Sequence, residues 1–245
     1  RTREHTLEGN SKELKKAVGQ KHCLHWHQVK KNDANHYTAP KNADCFMSVL
    51  IDWVCKANTL GGTLLVAMPG VGDVGKLAID AVNTELDAEP IAMLIHPSLP
   101  PLAKLDENGL LKPPHVLLSR IEIDGREIFT LTGDAQPMTP EGQSEMAQSV
   151  LELFEEGEVV VLAGMSAEAE RKDVFCITSS SEYRIELEKK GVDVRRDEPK
   201  AGVIGMAALI TALGPVKNVR TSCNIATTIG NSADPVAAQL LLETI

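Results

Sequence analysis

The chain has 245 residues, 43% of them hydrophobic but only 3% aromatic, so one large domain or two small ones must form around Val, Ile, Leu, Ala and Met. A formal charge of -9 at pH 7 repels polyanions and argues against nucleic acid as a partner. No apolar run approaches the roughly 18 to 20 residues that span a bilayer, and the five cysteines include no C-x-x-C pair, so a reduced, cytoplasmic protein off the membrane is expected.

Residues 1–45 carry nine Lys/Arg against five Asp/Glu and five of the seven histidines, whereas the remainder carries 16 against 29. The first 46 residues read as a basic, His-rich leader. It is either an extension that is not native or a native arm with one short helix near Ser11 to Val18. Residues 47–245 read as a single α/β domain opening at Met47 to Ile51.

From residue 59 onward, apolar runs of strand length alternate with helical patterns, as in layered α/β folds. Thr63 to Met68 is a buried strand, the Gly-rich turn from Pro69 to Gly75 opens a helix to about Leu86, and Ile91 to Ile95 is the next strand. A surface excursion follows, with prolines at 97, 100 and 101 and the turn signal Asp106-Glu107-Asn108-Gly109. Val116 to Ile123 and Glu127 to Thr132 flank Asp124-Gly125, a tight hairpin turn in which both central residues take positive φ. Thr139-Pro140 starts a helix that runs to about Glu156, where Gly157 stops it. Strands are expected at Glu158 to Ala163, Val174 to Thr178 and Val219 to Ile225. Helices are expected at Ser181 to Lys190, Ile204 to Ala212, and from Pro235 behind an Asp234 cap.

Gly70-Val71-Gly72-Asp73-Val74-Gly75-Lys76 satisfies both the dinucleotide expression G-x-G-x-x-G and the G-x-x-x-x-G-K part of a phosphate loop. Each fails at its next requirement. Leu77 stands where a Mg²⁺-holding hydroxyl is needed, and His96-Pro97 stands where the second strand should end in a ribose-binding acid. Asp73 would also set a carboxylate beside any phosphate. Tight turning and close strand-helix packing are the plainer role for these glycines. A second polar stretch, with Asp134, Gln136, Glu141 and Gln143, ends a strand where ligands of open sheets bind, and Asp134 or Glu141 could serve as a general base. The same residue types also satisfy turns and helix ends. No convincing nucleophile-base pair stands out in the body, which holds only His96 and His115. Cys23-Leu24-His25-Trp26-His27 in the leader could bind a metal, but no native metal or cofactor is assigned.

Pro69 to Lys76, followed about sixty residues later by Thr132-Gly133-Asp134-Ala135-Gln136-Pro137 and then Pro140-Glu141-Gly142-Gln143, resembles the proteasome assembly chaperone family. Gly164 to Ser166, Gly202 to Gly205 and Asp234-Pro235-Val236-Ala237-Ala238 follow in the order that family shows, so the resemblance covers about 47 to 245. It implies a nucleoside-phosphorylase-like fold: three α/β/α layers with a mixed, largely parallel sheet, without the phosphorylase chemistry. It implies no catalytic residue, no cofactor, self-association, and protein subunits as partners, proteasome α-subunits foremost. Gly70, Gly72, Asp73, Gly75, Lys76, Asp134, Gln136, Glu141 and Gln143 are then the candidates for a partner- or ligand-binding surface. The competing expectation is a small-molecule enzyme that binds a nucleoside- or phosphate-like ligand at the Gly-rich loop. Family members that dock on the proteasome can carry a hydrophobic-Tyr-any tail. This sequence closes on Glu243-Thr244-Ile245, which leaves another docking surface, a shortened chain or a different partner open.

Overall fold

The computed structural model describes residues 49–54, 60–154 and 157–245. The helix expected near Ser11 and the Cys23 to His27 cluster lie outside them. Along the chain run β1 (Leu50–Trp53), β2 (Thr63–Ala67), α1 (Val74–Glu85), β3 (Glu89–Ile95), β4 (Lys104–Leu105), β5 (Leu111–Lys112), β6 (Val116–Ile123) and β7 (Arg126–Gly133). Then come α2 (Pro140–Leu153), β8 (Glu158–Ser166), β9 (Val174–Thr178), α3 (Ser181–Lys189), α4 (Gly205–Leu213), β10 (Arg220–Thr228) and α5 (Pro235–Leu242).

Eight strands form one sheet in the order β1-β3-β6-β7-β2-β8-β10-β9. The sheet is mixed, as expected, and its parallel part is the central group β7, β2, β8 and β10. β1, β3, β6 and β9 all join antiparallel, so the antiparallel share is larger than the alternating pattern suggested. Asp124 and Gly125 take φ of 51° and 74° and close the expected β6–β7 hairpin, but β3, β1 and β9 also pair antiparallel, with β6, β3 and β10.

The central strands are buried on both faces, which is why they read as unbroken apolar runs. Their alternate residues feed two cores. Leu64, Val66, Val159, Val161, Cys223 and Ile225 pack under α2 and α4, where Met146, Val150, Met206 and Ile210 meet them. Leu65, Ala67, Val160, Leu162 and Ala226 face α1 and α5, against Ala78, Ile79, Ala238 and Leu241. These are the three expected layers. Phe129 and Phe154 meet edge to face at 5.3 Å in the first core, a geometry that adds about 0.5–1.5 kcal/mol beyond burial.

Three element ends differ from expectation by three residues. β8 and β10 each run three residues further, to Ser166 and Thr228, because their Gly- and Thr-containing ends remain paired in register rather than turning. α2 begins as expected, with the Thr139 hydroxyl accepting from Gly142 N–H at 3.1 Å, but it stops at Leu153. Phe154 is fully buried as its C-cap, and Gly157 already passes so close to Gly62 O that a Cβ there would sit 2.6 Å away.

Candidate functional site

The four parallel strands end at one edge of the sheet. The chain leaves β2 for α1 on one face and β7 for α2 on the other, and such a reversal opens a crevice where open α/β sheets bind ligands. β2 pairs with β8 only as far as Val66 beside Val161, while β8 continues along β10 to Ser166. Beside that stretch of β8 unpaired by β2 lies a cavity of about 700 Å³. Its walls include Val66, Met68, Val161, Met165, Met206 and Ile225, and its polar side chains are Gln136, Gln143 and Ser166. Among the described residues no charged side chain lines it.

The glycine-rich turn forms one wall through Gly70 and Gly75, but its motif is used internally. Gly72 and Asp73 both take left-handed backbone, φ 64° and 48°, which a tight turn requires at Gly72. Gly70 N–H donates to the Asp73 carboxylate at 3.3 Å, so that carboxylate occupies the place an anion would take at this amide. At Gly75 a Cβ would stand 2.1 Å from Leu162 O, so only glycine lets α1 press onto β8. Lys76 does not face the cavity; its ammonium is held by Asp80 at 2.6 Å, one turn along α1. A phosphate-cradling role for Gly70, Gly72, Gly75 and Lys76 therefore lacks the Gly70 amide, which Asp73 takes, and the Lys76 cation, which Asp80 holds.

The second predicted stretch divides. Gln136 reaches into the crevice and bridges its two sides: its amide donates to Pro69 O at 3.0 Å and its oxygen accepts from Met206 N–H at 3.1 Å. A Cβ on Gly205 would fall 2.7 Å from that oxygen. Gln143 also lines the cavity, donating to Pro137 O at 2.9 Å. Asp134 points elsewhere and pairs with Lys104 at 2.8 Å. That hydrogen bond, with the charges of Lys104, Lys76 and His115, holds its carboxyl below the usual range, the wrong direction for a general base at neutral pH. Glu141 is exposed and borders a separate groove between α2 and β1.

Residues 64–245 match the family model described as the PAC2 family. The chain belongs to the PAC2 family. A relative from Methanocaldococcus jannaschii, an uncharacterized protein, is 25% identical over 185 residues, 74% of this chain and 70% of its own. Among solved structures, Pyrococcus furiosus PbaB, an archaeal proteasome activator, superposes with a TM-score of 0.69 at 20% identity, covering 81% of this chain and 87% of that one. Pyrococcus furiosus PbaA, an archaeal homolog of proteasome-assembly chaperone, gives 0.65 at 24%, covering 79% of each chain. At these identities the structural matches establish a shared fold.

Sequence reading placed Gly164 to Ser166 and Gly202 to Gly205 in the family pattern but not among the site candidates, whereas Met165, Pro199 and Ala201 to Ala207 also line the PAC2 cavity. This stretch carries no chemical motif; its signal is the unusual exposure of Ile204, 84%, just before an apolar helix. The adjoining chain is pinned by Arg171, which donates to Glu198 and to Asp173 at 2.9 Å, and whose basicity both carboxylates raise.

Also missed was a chain of polar groups that runs from buried Ser98 and His96 to half-exposed Glu145. His96 meets Ser98 Oγ at 2.7 Å through Nδ1 and Glu145 at 2.9 Å through Nε2, the order of a nucleophile-base-acid triad. Its Ser98 end is sealed, however. A Cβ on Gly142 would stand 1.9 Å from Ser98 Oγ, and neither His96 nor Ser98 lines the cavity. These groups bind the start of α2 to the end of β3. Burial pushes the described cysteine thiols up, Cys176 to about 11 and Cys223 higher still, which disfavours the thiolate a nucleophile needs. Among the described residues no group of three His, Cys, Asp or Glu could hold a metal, and no helix is long and apolar enough to cross a membrane.

Proposed function

We propose that this PAC2 protein is a non-enzymatic, cytoplasmic subunit-binding protein that serves proteasome assembly, with proteasome α-subunits as its partners. The observation that carries the reading is the cavity at the parallel strand ends. It is large, apolar, free of charged lining residues among the described residues, and lined in part by exposed Val71 and Ile204. Interfaces are anchored by apolar side chains seated in such pockets, and Met68, Met165 and Met206 give the walls the adaptability that suits a protein partner. A phosphate or nucleoside would meet neither a cation nor an available acid-base pair there. The fold shared with PbaA and PbaB supports the choice of partner.

Capture from the native lysate on the immobilised full chain, with mass spectrometry of the bound proteins, tests this. Proteasome α-subunits should be retained in stoichiometric amount. Recovery of the chain alone, together with a thermal shift on adding phosphate or nucleoside, would reverse the conclusion. A true ligand at 100 times its dissociation constant stabilises by about 2.7 kcal/mol and would be plainly visible.

A further inference from the structure

β8 is paired on both sides only as far as Val161; beyond it β10 continues on one side, while β2 has ended on the other. Backbone groups alternate in direction along a strand, and two bonds fix which residues of β8 turn which way. Glu158 N–H donates to Gly62 O at 2.9 Å, on the β2 side, and Ala167 N–H donates to Thr228 O at 2.8 Å, on the β10 side. Even-numbered residues therefore turn toward β2, so Gly164 and Ser166 present their backbone to the place that β2 leaves vacant. Among the described residues no bond reaches the Gly164 N–H, the Gly164 C=O or the Ser166 N–H. Leu162 C=O, one step earlier, is covered by Gly75. Both Gly164 and Ser166 line the apolar cavity, so the open edge lies along its wall.

We propose that the cavity takes an extended, uncharged, internal segment of the partner protein, which adds to β8 as a strand beside Gly164 and Ser166. The proposal rests on reading the cavity as a protein-binding site and names the form the bound segment takes. An open edge is a template for another strand, and the order donor, acceptor, donor is one that an extended backbone matches. In strand addition the main chain supplies affinity while alternate side chains fill pockets on either face. Both faces are provided here. Val161, Met206 and Ile225 belong to the core under α2 and α4, Val74 and Leu162 to the core under α1, and all of them line the cavity. An apolar small molecule would fill the space but leave the three backbone groups unmatched. Charge decides against a chain end. A terminal carboxylate or ammonium would meet no opposite charge among the described lining residues, and the Gly70 amide is already taken by the Asp73 carboxylate.

Ser166→Pro and Ser166→Ala in the full chain test the proposal, with circular dichroism to verify their fold. Both lose the hydroxyl that donates to Ile229 O at 3.1 Å, but only proline loses the amide, and that amide faces away from the β10 ladder. The probe is a library of N-acetylated, C-amidated peptides of about six residues drawn from Val, Ile, Leu, Thr and Gln, beside the same library with free carboxylates. Binders should come from the capped set and slow hydrogen exchange of the Gly164 and Ser166 amides of wild type by roughly tenfold or more. They should bind Ser166→Pro roughly tenfold more weakly than Ser166→Ala. No binder in either set, binders that leave both amides exchanging as before, a preference for free carboxylates, or equal binding by the two folded variants would overturn it. No proteasome subunit enters these readouts. Capped peptides that protect the edge while α-subunits fail to bind would sink the choice of partner alone, and α-subunits retained with both amides still exchanging freely would sink strand addition alone.

Discussion

Two loops face each other across the strand-end cavity, and they contrast in what a sequence reveals. The turn from Gly70 to Lys76 matches two ligand-binding expressions, yet its glycines serve packing, its aspartate caps its own amide and its lysine is paired along the helix. The stretch from Pro199 to Ala207 matches no chemical motif, yet it supplies another wall and, among the described residues, the most exposed large hydrophobic side chain, Ile204. A motif specifies what a backbone can do. Whether it binds a ligand depends on which groups are left unpaired after folding, and here the first loop leaves few while the second leaves an apolar rim.

That contrast breaks first at Gly75. Gly75→Ala forces a methyl into Leu162 O, and overpacking at an unyielding backbone contact should cost about 3 kcal/mol, read by urea denaturation. A neutral result would mean that α1 is free to withdraw and that the turn is not a packing joint. Gln136→Ala removes the side chain that joins the two loops and leaves Pro69 O and Met206 N–H without it. A loss of about 1–3 kcal/mol is expected, and proteolysis near residue 204 should accelerate relative to wild type.

Asp234 supports the glycine turn from the other side: its N–H donates to Gly72 O at 2.9 Å, and its carboxylate accepts from Ala237 N–H and the Thr228 hydroxyl. Those two bonds, the Ala237 amide first, hold its carboxyl below the ordinary 3.8. A lowered folded value stabilises above about pH 3.8 and is lost as pH falls through it. Asp234→Ala should therefore melt lower at neutral pH by about 1 kcal/mol, with the gap to wild type shrinking in acid. A gap that stays constant down to the acid transition would show that the carboxylate contributes nothing. The smallest effect belongs to Lys76→Ala, which removes one helical ion pair worth about 0.2–0.5 kcal/mol and should leave partner binding intact.

Most of the architecture was legible because it rests on local chemistry. Thr139-Pro140, Asp124-Gly125 and Asp234-Pro235 mark their turns and caps by side-chain donors, acceptors and allowed φ, and the central strands declare themselves as apolar runs buried on both faces. Of the nine candidate residues, Gly70, Gly75, Gln136 and Gln143 line the cavity; Gly72, Asp73, Lys76, Asp134 and Glu141 do not. The rest was not legible because it depends on long-range geometry. Nothing local to Gln136 foretells a bond to Met206, seventy positions on, and nothing near His96 foretells Glu145. The extent of antiparallel pairing was hidden for the same reason, since the β1–β3, β3–β6 and β9–β10 pairings join strands distant in sequence whose apolar patterns carry no direction.

The most direct test is co-purification of proteasome α-subunits from native lysate on three immobilised full chains in parallel: wild type, Ile204→Glu and Lys76→Ala. Ile204 is 84% exposed, so a charge there should leave the fold intact while placing an unpaired carboxylate at the rim of the cavity. Binding through the apolar cavity predicts equal recovery on wild type and Lys76→Ala and loss of roughly tenfold or more on Ile204→Glu. Equal recovery on all three, or loss on Lys76→Ala alone, would contradict it and return the glycine loop to the centre of function.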